Sequence, residues 1–176
     1  MKIGVFVGSF DPPHLGHVRA MDYLIDKSYV DEVLIIATMP YWHKTNLTSL
    51  DDRLNMLKLV KHEKIRVDEK YNYVTYTYEI LEELKKDGND YFLVIGEDNA
   101  QSLHLWKRYD IIKTFPLIIL GRKGYEFKID HPNFQFIDQD FGMIASSKIR
   151  SDVDRYKDDL PLKVYEYIKE KGLYAH

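Results

Sequence analysis

The sequence predicts an α/β fold, in which a doubly wound parallel sheet carries a short C-terminal helical segment. Two observations predict it. Short apolar runs rich in β-branched residues alternate with stretches of helical period, the pattern of parallel strands joined by crossover helices. Four of those runs are almost continuously apolar, as strands buried on both faces are. Because 176 residues suit one domain, we expect residues 1–176 to form a single domain that includes 144–176.

The predicted elements follow one another along the chain. The strand candidates are Ile3 to Val7, Val33 to Thr38, Ile65 to Val67, Tyr91 to Ile95, Leu117 to Leu120 and Phe134 to Ile137. Helical faces are indicated by Val18, Met21, Leu24 and Ile25, by Leu50, Leu54 and Leu57, and by Tyr76, Ile80 and Leu84. Helix boundaries are indicated by Ser49 ahead of Asp52, by Ser146 or Ser147, and by Pro161 and Gly172 around the last helix.

The composition argues against several classes of function. The 25 Lys and Arg against 28 Asp and Glu leave a net charge of −3, so we expect no nucleic-acid partner. The absence of cysteine excludes disulfides and thiolate metal sites and agrees with a reducing compartment. The longest apolar runs fall far short of the roughly 20 residues that span a bilayer, so we expect a cytoplasmic protein without a membrane partner.

The densest chemical signal is Gly8-Ser9-Phe10-Asp11-Pro12-Pro13-His14-Leu15-Gly16-His17, here called the front loop. It lies between the first strand and the first helix, where backbone N–H groups and the helix dipole converge on one point that suits a phosphate. Gly8 would let the backbone approach the ligand. His14 and His17 would face the same anion as hydrogen-bond donors.

Other interpretations of the front loop stay open at this point. The two histidines can simply cap the helix and fill space, or they can contribute to a zinc site, although no third ligand is suitably placed nearby. The loop has neither the G-x-x-x-x-G-K-[ST] pattern nor the G-x-G-x-x-G pattern, which disfavours kinases and dehydrogenases.

A second anion site is predicted from Ile144-Ala145-Ser146-Ser147-Lys148-Ile149-Arg150, here called the late motif. It combines two hydroxyls at a helix start with the positive charges of Lys148 and Arg150. Alone it is typical of an ordinary capped helix, and only its pairing with the front loop favours a phosphate site. The aperiodic stretch from Met39 to Thr48, which contains Trp42 and Lys44, is a further candidate functional loop.

Together the two motifs resemble the nucleotidyltransferase superfamily that activates substrates with ATP, whose motifs are H-x-G-H and I-S-S-T-x-I-R. Within it, the chain is most similar to the bacterial nicotinate mononucleotide adenylyltransferase family. That similarity extends along almost the whole chain through Pro40 to Lys44, Thr75 to Leu81, Ile95 to Asp98, Leu105-Trp106, Arg122-Lys123-Gly124, and Leu160-Pro161 to Tyr174. It implies a Rossmann-like nucleotidyltransferase fold.

The resemblance also implies a reaction and a set of site residues. The reaction is adenylyl transfer from ATP to nicotinate mononucleotide in NAD biosynthesis, giving nicotinate adenine dinucleotide and pyrophosphate, with Mg²⁺ carried by ATP and no protein metal site. The residues implied to be catalytic are His17, His14, Arg150 and Lys44. Those implied to bind ATP are Gly8, Ser9, Phe10, His14, His17, Gly96, Asp98, Ser146, Ser147, Lys148, Ile149 and Arg150. Those implied to bind the mononucleotide are Lys44, Thr77, Leu105 and Trp106.

Departures from the family pattern keep alternatives open. Ala145 and Ser147 differ from the family's late motif, and Ile80 stands where the family often has threonine. The alternatives are a phosphopantetheine adenylyltransferase, a nicotinamide mononucleotide adenylyltransferase and a non-catalytic nucleotide-binding regulator. Asp98 as a helix cap and Trp106 as a core residue also remain possible. No role is assigned to His62, His104, His131 and His176, and the oligomeric state is left open.

Overall fold

Six parallel strands form one sheet within the part of the chain that the structure describes. The computed structural model describes residues 1–38, 47–74, 76–121, 131–139, 141–142 and 144–175. The strands are β1 (Lys2–Gly8), β2 (Glu32–Ala37), β3 (Ile65–Val67), β4 (Asp90–Gly96), β5 (Leu117–Leu120) and β6 (Phe134–Ile137), in the spatial order β3-β2-β1-β4-β5-β6. Each predicted strand is confirmed, and the order is that of a doubly wound sheet.

Both faces of the sheet are buried, which explains why its central strands are almost continuously apolar. In β1, Val5 pairs with Leu34 of β2 on one side and with Leu93 of β4 on the other. Val5 and Leu34 point into one core layer, whereas Phe6 and Ile35 point into the other. Successive side chains of a strand alternate between faces, so a strand covered on both sides needs apolar residues at every position.

Helices cover the two faces. They are α1 (Leu15–Asp26), α2 (Leu50–Lys58), α3 (Thr77–Leu84), α4 (Glu97–Ala100), α5 (Tyr109–Ile112), α6 (Ser146–Ser151) and α7 (Leu162–Lys171), with short 3₁₀ helices at Lys85–Asp87, Leu103–Leu105 and Lys157–Asp159. Helices α1 and α2 pack on the layer that contains Phe6, through residues such as Leu24 and Leu57. Helices α3, α4 and α5 pack on the opposite layer, where Leu81 and Ile112 are fully buried.

The predicted C-terminal helical segment packs against α2. Met56 of α2, Ile149 of α6 and Val164 and Ile168 of α7 form a third apolar cluster and are fully buried, together with the nearly buried Leu160. Val164 and Ile168 are four residues apart, so they lie on the same face of α7. Burying one such side chain is worth about 1.5 to 3 kcal/mol. That the whole range 1–176 forms one domain stays a prediction, which this packing favours.

The predicted helix boundaries are partly confirmed. Ser49 is the N-cap of α2 and accepts the Asp52 N–H at 3.2 Å. Pro161 is the N-cap of α7, and Gly172 ends it with φ of 64°, a left-handed conformation that glycine adopts without steric cost. Helix α6 begins at Ser146, as predicted, and its N-cap position lies one residue earlier. Ala145 occupies that N-cap position and makes no side-chain cap hydrogen bond.

None of the helices in the described part of the chain combines the length and the apolar character that a membrane span requires.

Candidate active site

A cleft of about 1020 Å³ opens where β1 and β4 end side by side. The chain leaves β1 toward α1 on one face of the sheet and leaves β4 toward α4 on the other, and such a switch point is where doubly wound sheets bind ligands. Most of the residues implied to bind ATP line this cleft: Gly8, Ser9, Phe10, His14, His17, Gly96, Asp98, Ser146, Ser147, Lys148 and Arg150. The front loop and the late motif therefore meet, although they are far apart in sequence.

The two histidines of the front loop cap α1 reciprocally. Buried His14 is the N-cap residue, and its Nδ1 accepts the N–H groups of Gly16 at 3.1 Å and of His17 at 3.4 Å. His17 in turn accepts the His14 N–H on its own Nδ1 at 3.1 Å. A β-carbon at position 16 would lie 2.9 Å from His14 Cε1, so only glycine leaves room for the ring.

This capping corrects one expectation and defines the donors of the site. The N–H groups of Gly16 and His17, expected to point at a phosphate, instead donate to His14. Capping was one of the interpretations left open, and it is observed. Since each Nδ1 accepts a backbone N–H, the proton of each neutral imidazole lies on Nε2. The two rings stack with centroids 3.7 Å apart, which gives them a common orientation.

Phe10 supports His17 from the side. Its ring centroid lies 4.9 Å from that of His17 and 5.4 Å from that of Phe6, both in edge-to-face geometry. Phe10 has φ of 49°, a left-handed conformation that is unusual for a bulky residue and is typical of functional sites. We expected the missing side chain of Gly8 to let the backbone approach a ligand. A β-carbon at Gly8 would instead lie 3.2 Å from the ring of Phe10, so the space beside Gly8 is occupied by that ring.

Two hydrogen bonds join the late motif to the front loop. Ser146 donates its hydroxyl to the carbonyl of Pro12 at 2.9 Å, and Arg150 donates Nη1 to the carbonyl of Asp11 at 2.7 Å. Ser147 and Lys148, on the same helix, are exposed and line the cleft. Helix α6 therefore presents a hydroxyl and two positive charges to the space beside His14 and His17.

Ile149 does not belong with its neighbours in this site. It was implied to bind ATP, but its side chain is fully buried in the cluster with Met56 and Leu160 and does not line the cleft. The helical period explains the difference, because Ile149 faces the core while Lys148 and Arg150 on either side face the cleft. Its role in the structure is to anchor α6.

At the end of β4, Gly96 and Asp98 lie where they were expected. Gly96 is the N-cap of α4 without a side-chain cap bond, and Asp98 lies in the first turn of that helix. The interpretation of Asp98 as the cap residue is therefore wrong. Glu97 also lines the cleft and is 4% exposed, a buried carboxylate that the sequence did not single out. Acidic groups in the first turn are favoured by the helix dipole.

A buried arginine lies beneath the front loop, near the carboxylate of Asp11, and it was not predicted from the sequence. Arg53 of α2 is 1% exposed and donates Nη1 to the carbonyls of Ser9 at 3.0 Å and Thr38 at 2.7 Å. It also donates Nε to the carbonyl of Thr48 at 2.9 Å. Burial lowers the pKa of Arg53, and the nearby charge of Asp11 partly opposes that effect. Arg53 thereby holds the loops that follow β1 and β2 together.

The far wall of the cleft was also missed. It consists of residues at and after the end of β6: Phe136, Asp138, Gln139, Phe141 and Gly142. Because the carboxyl ends of parallel strands meet at one edge of a sheet, the polar residues that follow Ile137 could have been predicted to lie there.

Three of the residues implied to bind the mononucleotide lie outside the cleft lining. Thr77 begins α3, Leu105 is 60% exposed, and Trp106 packs partly buried against the core layer under α3 and α5. Lys107 Nζ lies 6.0 Å from the ring centroid of Tyr76, which brings the segment between α4 and α5 next to the start of α3. We call Tyr76, Thr77 and Leu105 to Lys107 the acceptor region.

Ile80 has a structural role, and several other predictions concern residues outside the described ranges. Ile80 is 3% exposed within the core, so the departure from threonine there fills the protein interior. The predictions for Lys44 and the rest of 39–46, for Thr75, for Arg122-Lys123-Gly124 and for His176 lie outside the described residues.

A family model described as cytidylyltransferase-like matches residues 5–152. The chain belongs to the cytidylyltransferase-like family. Among curated relatives of this cytidylyltransferase-like chain is a protein of Flavobacterium johnsoniae named "Probable nicotinate-nucleotide adenylyltransferase", which is 31% identical over 99% of both chains. A Fusobacterium nucleatum protein of the same name is 30% identical over 97% of this chain and 96% of its own length.

Solved structures agree with the fold of this cytidylyltransferase-like chain. One is described as Plasmodium falciparum nicotinic acid mononucleotide adenylyltransferase complexed with NaAD, with a TM-score of 0.83, 21% identity, and coverage of 98% of this chain and 97% of that chain. Another, described as a putative nicotinate-nucleotide adenylyltransferase from Vibrio parahaemolyticus, has a TM-score of 0.70 and 22% identity and covers 98% and 94% of the two chains. The Rossmann-like nucleotidyltransferase fold is confirmed.

Proposed function

We propose that this chain is a nicotinate-nucleotide adenylyltransferase, which transfers the adenylyl group of ATP to nicotinate mononucleotide. The observation that carries the proposal is the meeting of the front loop and the late motif in one cleft at the switch point of the sheet. The names of the full-length relatives support the same reaction, as does the NaAD in the Plasmodium structure. The products are nicotinate adenine dinucleotide and pyrophosphate, which places the step in NAD biosynthesis.

The proposed chemistry is one displacement at phosphorus. A 5′-phosphate oxygen of the mononucleotide attacks the α-phosphorus of ATP, and the bond from that phosphorus to the bridging oxygen breaks. The electron pair leaves with pyrophosphate. Such a transfer depends on positioning and on stabilising the charge that develops on the phosphoryl oxygens, so no covalent nucleophile on the protein is required.

The front loop supplies donors to the reacting phosphate in this proposal. His17, oriented by its cap and by Phe10, donates Nε2–H to an α-phosphate oxygen, and the stacked His14 serves the polyphosphate. A donor held in place before the reaction stabilises the transition state without the cost of reorganisation. Gly8, Ser9 and Phe10 would shape the ATP side of the cleft.

The late motif and the end of β4 would hold the rest of ATP. Ser146, Ser147, Lys148 and Arg150 bind the β- and γ-phosphates, because hydroxyls and charged donors together suit a polyanion. Gly96 and Asp98 would contact a ribose, whose hydroxyls can donate to the Asp98 carboxylate.

The acceptor region would bind the mononucleotide. Trp106 offers an aromatic face to the pyridine ring, with Leu105 beside it. Thr77 lies at the start of α3, whose N-cap Tyr76 makes no side-chain cap bond, so the N–H groups of this turn are suited to the nicotinate carboxylate. Lys44 is proposed as a phosphate ligand from the front side, on the resemblance alone.

Mg²⁺ is proposed to arrive bound to ATP. Within the described ranges, no group of three or more His, Asp or Glu side chains is arranged to hold a metal ion. Mg²⁺ commonly keeps several waters and binds nucleotide phosphates with few protein ligands. When bound, the ion would neutralise charge on the phosphates, and the residues named above do the orienting.

The test is an assay of pyrophosphate release from ATP by the purified protein. Nicotinate mononucleotide, nicotinamide mononucleotide and 4′-phosphopantetheine are offered separately at equal concentration. We expect the highest kcat/KM with nicotinate mononucleotide and a dinucleotide product of matching mass. Preferential turnover of phosphopantetheine would replace the proposed acceptor. ATP binding without turnover of any of the three would favour the regulator alternative.

A further inference from the structure

Asp11 is a buried carboxylate within the front loop that the proposed reaction does not use. It is 1% exposed, and its Oδ2 accepts the N–H of Thr48 at 3.0 Å. Its Oδ1 accepts the hydroxyl of Tyr174, which lies beyond α7. A buried charge is tolerated when it is hydrogen-bonded on its free lone pairs and has a counter-charge nearby, and Arg53 supplies that counter-charge.

The backbone of Tyr174, which follows α7, has an uncommon conformation. Gly172 ends α7, and two residues later Tyr174 has φ of 59°, again in the left-handed region. Bulky residues adopt that conformation only where the surroundings impose it. Burial and the hydrogen bond to Asp11 raise the pKa of Tyr174, so the hydroxyl keeps its proton and donates it.

The contact with Asp11 reaches the phosphate site through the backbone. The carbonyl of Asp11 accepts Arg150 Nη1 at 2.7 Å, and the next carbonyl, that of Pro12, accepts the Ser146 hydroxyl at 2.9 Å. The same residue therefore joins Tyr174 through its side chain to Arg150 through its main chain. A shift of the Asp11 carboxylate would tilt the peptide that orients the Arg150 guanidinium.

We propose that Tyr174 is a positioning residue for adenylyl transfer, which orients Arg150 toward the phosphates of ATP by holding the carboxylate of Asp11. Tyr174 is not among the residues that line the cleft, so in this proposal it does not contact ATP. The inference rests on the proposed function for the identity of the reaction. The contacts that carry it are those among Tyr174, Asp11 and Arg150.

The test compares Tyr174→Phe with a matched control from the preceding helix. Tyr167 of α7 also donates its hydroxyl to a carboxylate, that of Asp52 at 2.7 Å, but the other described partner of Asp52 is Ser49, the N-cap of α2. Tyr174→Phe keeps the ring that fills the site and removes only the donor. Tyr167→Phe does the same at a hydroxyl whose described hydrogen bonds go to Asp52 and Asn55, not to Asp11.

We expect Tyr174→Phe to raise KM for ATP about tenfold, the factor that 1.4 kcal/mol represents, with KM for the mononucleotide within twofold of the parent. Tyr167→Phe should leave both constants within twofold. If the two variants behave alike, or if Tyr174→Phe raises both KM values equally, Tyr174 has only a structural role and the proposal fails.

A double-mutant cycle identifies the route. In an Arg150→Ala background, Tyr174→Phe should cause no further rise in KM for ATP, because the residue through which it acts is gone. If the two substitutions raise KM for ATP by independent factors that multiply in the double variant, Tyr174 does not act through Arg150.

Calorimetric binding of a non-hydrolysable ATP analogue separates this inference from the proposed function. The analogue should bind Tyr174→Phe about tenfold more weakly than the parent and bind Tyr167→Phe equally well. This readout needs no acceptor. Failure of the parent protein to adenylylate nicotinate mononucleotide would therefore reject the proposed reaction alone, whereas equal binding to all three proteins would reject the role of Tyr174.

Discussion

The two sides of the carboxyl edge of the sheet are held in different ways. The front loop and the late motif are joined by hydrogen bonds between partly buried groups, and Arg53 lies beneath the front loop. The described side-chain contacts of the acceptor region are apolar packing of Trp106 and ring contacts, such as the stacking of Tyr76 on Tyr78 and the approach of Lys107 to Tyr76. Fixed donors suit phosphoryl transfer, whose rate depends on geometry, whereas a side held by ring contacts can adjust to the acceptor.

We use the name rigid side for the front loop together with the late motif. The largest loss of stability on the rigid side is expected from Arg53→Met. The substitution leaves three carbonyls without their donor, at about 1 to 3 kcal/mol for each unsatisfied acceptor, and removes the positive charge near Asp11. Urea unfolding measures the change in the free energy of unfolding. Arg66→Met is the control, because the exposed Arg66 pairs with Glu32 and such pairs contribute roughly 0 to 1 kcal/mol. Equal losses for the two variants would show that Arg53 does not stabilise the rigid side specifically.

His17→Ala should remove catalysis while the protein stays folded. Losing a preorganised donor to the transition state costs roughly 10²- to 10³-fold in kcat. A smaller loss of stability, about 1 kcal/mol, is expected from the lost cap on α1. Steady-state kinetics and thermal unfolding are measured together, with His62→Ala, an exposed histidine beside Asp22, as the control. Wild-type turnover by folded His17→Ala would remove His17 from the reaction.

Arg150→Ala should act on ATP and spare the acceptor region. A charged hydrogen bond is worth about 1.5 to 3 kcal/mol, so KM for ATP should rise roughly 10- to 100-fold while KM for the mononucleotide stays nearly constant. The exposed Arg155 supplies the control, Arg155→Ala, which should change neither constant. A rise confined to the mononucleotide would instead assign Arg150 to the acceptor.

The acceptor region is tested by specificity. We expect kcat/KM for nicotinate mononucleotide to exceed that for its amide at least about tenfold, since N–H groups at the start of α3 favour a carboxylate and leave an amide NH₂ facing other donors. The ratio is measured with both mononucleotides side by side at saturating ATP. A ratio near one, or one that favours the amide, contradicts this reading of the acceptor region without touching the phosphate side.

The smallest expected effect is an increase in the free energy of unfolding. Ala145 occupies the N-cap position of α6 with extended backbone, and serine there should accept a backbone N–H of the first turn. Ala145→Ser should therefore raise the free energy of unfolding by about 1 kcal/mol, measured by urea unfolding. Ala145→Gly, a weaker cap residue, should give less. A loss of stability in the serine variant would mean that the rigid side has no room for the hydroxyl.

The sequence predicted regular elements better than it predicted polar contacts. All six strands were visible because burial on both faces demands continuous apolar runs, which local composition records. Arg53 could not be found this way, because its three carbonyl partners come from two separate loops and its residue type normally indicates an exposed helix face. His14 and His17 were correctly placed in the cleft, but their reciprocal capping depends on ring orientation, which spacing alone does not reveal. Ile149 was assigned to the ATP site because of its motif, although the helical period predicts that its side chain faces the core.

The hydrogen bond between Asp11 and Tyr174 spans 163 positions of the chain, so it can form only late in the synthesis of the protein. Ribosomes add roughly 5 to 20 residues per second, and about 8 to 33 s therefore separate the synthesis of the two partners. During that interval we expect the first strands and helices to assemble around a front loop whose carboxylate still lacks one of its donors. Competence to bind ATP should then appear late, after α7 has docked, and a nascent chain halted before residue 174 that bound ATP as tightly as the finished one would contradict this order of maturation.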